Sequence, residues 1–390
     1  MNRQTIALHT PYIRPDAYGA LAVPIYSNVA YEFADAQTMA DVFCERQKAP
    51  DYSRVANPTV TQFEQRVRAL SGAEHVTAFV SGMAAISNVL LALVKSGKNV
   101  VASRRLFGNT FSLINVSLAR LGIEVRLRNL TNINEVAAAV DENTACIFLE
   151  IITNPQLEVA DLSALAQVAH SKNVPLVVDS TLIPFTETQL SRLGVDIEVL
   201  SSTKYLSGGG TSLGGLVIDY GKFPDFNKTL KHEMLFNFGA YQPAQSAYMQ
   251  TLGLETLAVR YKQQAANALA LAQALQHIEQ IIRVDYVGLP THKYHQIAQQ
   301  QFGPTAGAML TIDLHSEAEC FLFLNNLKLI HRATNMFDNR TLAIHPYSTI
   351  FGLFSKEEKE KMDVRNTTIR ISVGLEDVND LLNDIKQALS

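Results

Sequence analysis

Between His75 and Asp219 the sequence alternates short, nearly unbroken apolar runs with stretches of helical periodicity, and this rhythm limits the fold more than any single motif. Apolar runs fall at 75–80, 99–102, 123–126, 145–151 and 174–179, with helical patterns at 82–94, 110–121, 133–140 and 162–171 between them. Strands that are apolar on both faces belong to a sheet covered by helices on both sides. Right-handed crossovers then place the strand ends on one side, where ligands of such sheets bind. The expected fold class is therefore α/β, built on a mostly parallel sheet.

The last turn of this rhythm carries the chemistry. Residues 196–219, DIEVLSSTKYLSGGGTSLGGLVID, read as a buried strand, a hydroxyl-rich turn with one lysine, a glycine loop and a second buried strand. Lys204 then projects from a partly desolvated corner, where loss of hydration disfavours its ammonium form and leaves an amine able to attack an aldehyde. Ser201, Ser202 and Thr203 supply hydroxyls suited to a phosphate, and Gly208, Gly209 and Gly210 let backbone approach a flat ligand. An exposed lysine in a flexible turn would read the same from this stretch alone.

Three other positions are candidates on residue type and placement. Tyr52 and Arg54 stand just ahead of a helix that Pro58 opens, with Phe63, Val67 and Leu70 on one face. Taken alone, the pair reads more readily as packing and surface residues than as an anion site. Ser81, Gly82 and Met83 form a strand-to-helix turn whose free amides suit a phosphate, or a plain serine N-cap. Asp179 closes the strand PLVVD, where a carboxylate would face a ligand, for instance a pyridine nitrogen, unless it only caps the next helix.

Composition narrows the function classes. With 33 basic and 37 acidic side chains and a formal charge of −4, the chain has no electrostatic footprint for nucleic acid. Cys44, Cys146 and Cys320 are too scattered for a disulfide framework, and no run is apolar enough for a signal or membrane segment. A cytoplasmic protein is expected. His292 and His295 form an HxxH pair with no third ligand in register, so no metal site is expected. At 390 residues two domains are expected: an arm over 1–55 interrupted by Pro11, Pro15, Pro24 and Pro50, a ligand-binding domain over 56–245, and a smaller C-terminal α/β domain over 246–390. A long helix across 251–276 would bridge them, followed by strands at 308–314 and 368–373 and helices at 317–326 and 378–388. The segment 354–361 reads as a solvated helix face.

Taken together, YSRVANPT at 52–59, SGMAA at 81–85, LFGNT at 106–110, ITNP at 152–155, VDST at 178–181, SSTKYLSGGGTSLGG at 201–215 and RISVGLED at 370–377 resemble one family. The chain is similar to the Cys/Met metabolism family of pyridoxal-phosphate enzymes, which includes cystathionine synthases and lyases, methionine γ-lyase and O-acetylhomoserine sulfhydrylase. The resemblance implies the aspartate aminotransferase-like fold (fold type I) and pyridoxal 5'-phosphate as cofactor. It implies that Lys204 holds the cofactor and that Asp179 pairs with the pyridinium nitrogen. Ser81, Gly82, Met83, Ser201 and Thr203 would bind the phosphate, with Tyr52 and Arg54 reaching the phosphate of a neighbouring subunit in a homodimer or homotetramer. Arg370 would clamp the substrate carboxylate, helped by Asn154, and Asn335 would line the substrate site.

Departures from the family pattern are informative. Phe107 stands where a ring-stacking tyrosine is usual; it can stack but has no proton to donate. Gly209 replaces a histidine in a loop that otherwise resembles the sulfhydrylase form, Asn109 replaces the cysteine of methionine γ-lyase, and Phe351 replaces a frequent histidine. In TNMFDNR, Asn335 fits the sulfhydrylase-like pattern, yet Phe337 replaces its glycine. The expected reaction is γ-replacement on an O-acylated homoserine by a sulfur nucleophile. The alternatives are γ- or β-elimination on methionine, cystathionine or a related amino acid, and a non-catalytic binding protein of the same fold.

Overall fold

The computed structural model describes residues 1–10 and 18–390, so Pro11 and Pro15 of the expected arm lie outside the described residues. Two sheets organise the rest. The first has seven strands: β1 (His75–Phe79), β2 (Asn99–Ser103), β3 (Glu124–Arg128), β4 (Thr144–Glu150), β5 (Leu176–Asp179), β6 (Ile197–Leu200) and β7 (Gly215–Asp219). Their order is β1-β7-β6-β5-β4-β2-β3. All neighbours run parallel except β7, which lies antiparallel between β1 and β6.

Apart from the edge strand β3, which is half-buried, both faces of this sheet are buried, as its apolar strands require. Along β7, Leu216 and Ile218 join one apolar cluster while Val217 joins the other, and Val100, Val101 and Ala102 of β2 alternate in the same way. Burying a side chain of this size is worth about 1.5–3 kcal/mol, so a one-residue slip of either strand would be costly. The Pro58–Ser71 helix begins as expected, with the Asn57 side chain accepting from Thr59 N, and Phe63, Val67 and Leu70 are buried.

The second sheet has five strands in the order β10-β11-β12-β9-β8, comprising β8 (Arg283–Asp285), β9 (Met309–Asp313), β10 (His331–Arg332), β11 (Leu342–Ile344) and β12 (Thr368–Ser372). Its central pair β9–β12 and the helices Glu317–Asn326 and Val378–Leu389 lie where the sequence places them. Short strands β8, β10 and β11 carry too few residues to show a period.

Three expectations need correction. The bridging helix is two helices, Ala244–Glu255 and Leu257–Leu275, with Thr256 out of helical geometry between them. The 110–121 helix is uneven, with a wider π-type turn over Leu113–Leu118 and a tight 3₁₀ turn over Ala119–Leu121. The solvated helix runs only over Lys356–Lys361: Phe354 packs edge-on against Phe111, and buried Lys359 lays its ammonium 4.1 Å from the centre of the Tyr347 ring.

The Ala244–Glu255 helix meets the turn after Lys204 at Gly253, where a Cβ would come within 1.8 Å of the Leu206 carbonyl oxygen. Only a glycine allows that approach. Gly253→Ala is therefore expected to cost about 1–3 kcal/mol through overpacking against backbone, read as a lowered melting temperature.

Candidate active site

The carboxyl ends of β4, β5 and β6 lie side by side, with Glu150 paired in register to Asp179 and Asp179 to Val199. Asp179 Oδ1 accepts from Thr181 N at 2.9 Å and from Thr181 Oγ1 at 2.6 Å. The same Thr181 hydroxyl accepts from Ser201 N at 2.9 Å, so it ties the end of β5 to the turn after β6. That turn delivers Lys204.

The lysine leaves β6 into a short 3₁₀ turn, Tyr205–Ser207, whose side chains are buried. Its Nζ donates to Asn335 Oδ1 at 2.9 Å. Burial pushes the Lys204 ammonium down to about 8, the nearby Arg370 guanidinium adds to the effect, and the Asp179 charge opposes it. Burial also raises the Asp179 carboxyl, against the Thr181 hydrogen bonds and the Lys204 charge.

Arg370 lies on β12 and is 2% exposed. Its Nη1 donates to Asn154 Oδ1 at 3.3 Å and its Nη2 to the carbonyls of Thr334 and Asn335 at 3.1 and 3.2 Å, while Nε has no partner. Burial pushes it down to about 10. Among the described residues no carboxylate forms an ion pair with it. A buried cation served by carbonyls alone is costly, and an anionic ligand would relieve it.

On the other side of the turn, Ser81 caps the Gly82–Leu93 helix, its hydroxyl accepting from Ala84 N at 3.1 Å. Both sequence readings of this turn coexist, because the first amides, of Gly82 and Met83, have no acceptor inside the helix. A Cβ on Gly82 would fall 2.7 Å from Ser201 Cβ, so the glycine keeps the helix end against the Ser201 turn. Thr203 Oγ1 is engaged with Gly214, accepting from its N at 3.0 Å, and Ser202 Oγ is buried without a partner. Two amides free at a helix N-terminus, beside the turn that carries a desolvated lysine, fit a phosphorylated aldehyde.

Phe107 is half-buried, with its N donating to Glu150 Oε1. The Met83 sulfur accepts from Thr110 Oγ1 at 3.8 Å. Tyr52 and Arg54 are engaged elsewhere in the protomer: the Arg54 guanidinium lies 5.4 Å from the Tyr52 ring centre, and its Nη1 donates to the Phe236 carbonyl.

Two buried carboxyls were missed by sequence reasoning. Glu150 accepts from Phe107 N and Asn154 N, and burial with the Asp179 charge raises it to about 8. Glu198, wholly buried, accepts from the Ser180 hydroxyl and from Tyr220 Oη at 2.9 Å, and burial raises it to about 7. The only signal was a glutamate inside each apolar run, FLE and IEVL.

A lysine on the loop after a parallel strand, an aspartate on the neighbouring strand end and a helix N-terminus opposite them define the site of a fold type I, pyridoxal-phosphate-dependent enzyme. The family model described as Cys/Met metabolism PLP-dependent enzyme matches residues 4–390, and the chain belongs to that family. It is 36% identical to the L-methionine gamma-lyase of Fusobacterium nucleatum over 388 residues, covering 99% of this chain and 97% of that one. It is 35% identical to O-acetyl-L-homoserine sulfhydrylase 1 of Thermus thermophilus over 422 residues, covering 100% of both. Its structure superposes with a TM-score of 0.96 on a putative O-acetylhomoserine (thiol)-lyase from Campylobacter jejuni that contains pyridoxyl-lysine monophosphate, at 32% identity and full coverage of both chains. Pyridoxal 5'-phosphate is the cofactor.

The buried acids make stability depend on pH in a definite direction. Glu198 keeps its proton in the folded protein up to about 7, against an ordinary value of 4.5, so between these values the native state holds a proton that the unfolded chain has lost. Its contribution therefore falls as pH rises through that window. Glu198→Gln is expected to flatten the decline, its melting temperature gaining roughly 2–4 °C on the parent between pH 5 and 7.5.

Proposed function

We propose that this enzyme catalyses γ-replacement on an O-acylated homoserine with a sulfur nucleophile, yielding homocysteine or a close relative. The observation that carries the reading is the way Asn335 joins two cations, taking Lys204 Nζ on its side chain and Arg370 Nη2 on its carbonyl. An α-amino acid presents an amine and a carboxylate, the two groups that Lys204 and Arg370 would handle. Arg370 would clamp the carboxylate, with Asn154 fixing the guanidinium plane.

Lys204 would link the cofactor in this reading, and Asp179 would pair with its pyridine nitrogen. Ser81, Gly82, Met83, Ser201 and Thr203 would hold the cofactor at its phosphate, and Phe107 would stack on its ring. The cofactor supplies an electron sink that makes the Cα and Cβ protons acidic. With its ammonium pushed down to about 8, Lys204 can take the Cα proton and return it near neutral pH. The carbon–oxygen bond to acetate or succinate then breaks without help from Phe107, because a carboxylate leaves unprotonated.

Elimination on a sulfur amino acid is the second reading, favoured by the identity to methionine gamma-lyase. Against it, a thiolate is the poorer leaving group and Phe107 has no proton for it. The protein would act as a homodimer or homotetramer in the cytoplasm. In such an assembly segment 1–55 would carry Tyr52 and Arg54 to the neighbour's phosphate. Residues 56–245 form the cofactor domain and 246–390 the domain that brings Arg370.

Two measurements test this. Incubation with O-acetylhomoserine and sulfide should accumulate homocysteine; 2-oxobutanoate as the main product would mean elimination. Phe107→Tyr should raise turnover of a thiol-leaving substrate such as cystathionine by about 10²-fold, the usual scale of a general acid, and change O-acetylhomoserine turnover far less. A parent enzyme already fast on the thiol-leaving substrate would defeat the argument from Phe107.

A further inference from the structure

Phe337 is a large side chain in a backbone conformation that suits glycine. Its φ is +56°, in the left-handed region that bulky residues rarely enter, and it is completely buried. The ring lies flat on Tyr205, centroids 4.0 Å apart and planes within 8°, and Phe337 N donates to Ser372 Oγ at 2.7 Å. Tyr205 is itself held, its hydroxyl accepting from Ala308 N at 3.1 Å and its ring packed edge-on against Tyr261. Tyr205 is the residue after Lys204.

The segment around Phe337 reaches every substrate-handling group of the site. Asn335 Oδ1 takes the Lys204 amine, the Thr334 and Asn335 carbonyls take Arg370, Met336 Sδ accepts from Asn154 Nδ2 at 3.3 Å, and the Asp338 carbonyl is fixed by Gln264 at 2.7 Å. Residues 334–338 approach from the second sheet, whereas Lys204 belongs to the first. The face-to-face ring pair is where the two meet beside the lysine.

We propose that Phe337 is a positioning residue for Lys204: stacked on Tyr205, it fixes the 334–338 segment so that Asn335 Oδ1 stays on the Lys204 amine. The inference rests on the role given to Lys204 above. A glycine at this position would hold the turn with less backbone strain but without the wedge. The side chain therefore serves geometry at the amine rather than the turn itself.

The test uses holoenzyme of the parent, Phe337→Gly, Phe337→Leu, Asn335→Ala and the double variant Asn335→Ala/Phe337→Gly. The readouts are the pH midpoint of the lysine-bound cofactor's absorbance band, kcat and KM with O-acetylhomoserine and sulfide, and the melting temperature. Phe337→Gly should move the midpoint and lower kcat about tenfold, the scale of a small misplacement of reacting groups, with KM changing less. Phe337→Leu, which fills volume without a flat face, should shift the midpoint in the same direction. In the Asn335→Ala background Phe337→Gly should add no further shift, because the two act through one contact. A midpoint and kcat that stay at parental values while only the melting temperature changes would overturn the proposal, as would an equal shift in the Asn335→Ala background. Borohydride reduction and peptide mapping of the parent separate the two levels: a label absent from Lys204 removes the functional reading, whereas a label on Lys204 with an unresponsive Phe337→Gly removes only this inference.

Discussion

Two cations withdrawn from water without a matched carboxylate govern this structure. Lys204 donates to an amide oxygen and Arg370 to an amide and two carbonyls, and each side chain's pKa is depressed by its burial. Dipoles of this kind orient a charge but do not neutralise it, so the free site retains an unmet demand for negative charge. The carboxyls nearby do not meet it, because burial raises both Asp179 and Glu150, and the Asp179 charge raises Glu150 further. A ligand that brings a phosphate and a carboxylate would supply what the chain withholds, and its binding would stabilise the fold as well as start the chemistry.

The first sheet is the device that holds these groups apart from solvent. Its alternating burial leaves little freedom in strand register, and register alone sets Glu150 beside Asp179. The second sheet contributes Arg370 from β12 and Asn335 from the connection between β10 and β11. Neither sheet makes a site by itself. The aromatic contacts between them, Tyr205 against Phe337 and Tyr261, join the two halves next to Lys204.

Much of this was legible in the sequence because it followed from period. Both-face apolar strands announced the parallel sheet, and chain position at strand ends pointed to Asp179 and Lys204. What sequence could not show is what depends on meeting in space. Glu198 looked like one more polar residue in a strand until Ser180 and Tyr220 were found to close over it. Lys359 sat in a charged run that reads as solvated, yet the Tyr347 ring draws it under cover. Helix 251–276 failed as a single element because Ala and Leu favour helix on both sides of Thr256 and composition gives no warning of the break. Phe337 shows the strongest override, since a positive φ in a phenylalanine costs about 1–2 kcal/mol, against which stand its complete burial, the stack on Tyr205 and the hydrogen bond to Ser372.

The antiparallel seventh strand has a consequence for how the chain acquires this shape. β7 inserts between β1 and β6, so His75 finds its partner only when Asp219 has been made. During synthesis the first strand of the sheet therefore emerges long before its neighbour exists, leaving an open edge on a hydrophobic ribbon. Such long-separation pairing slows folding, and the lysine turn sits between β6 and β7, the two strands that this insertion joins. A cofactor site that draws on this turn and on Arg370 of β12 is therefore complete only after residues far apart in the chain have been made.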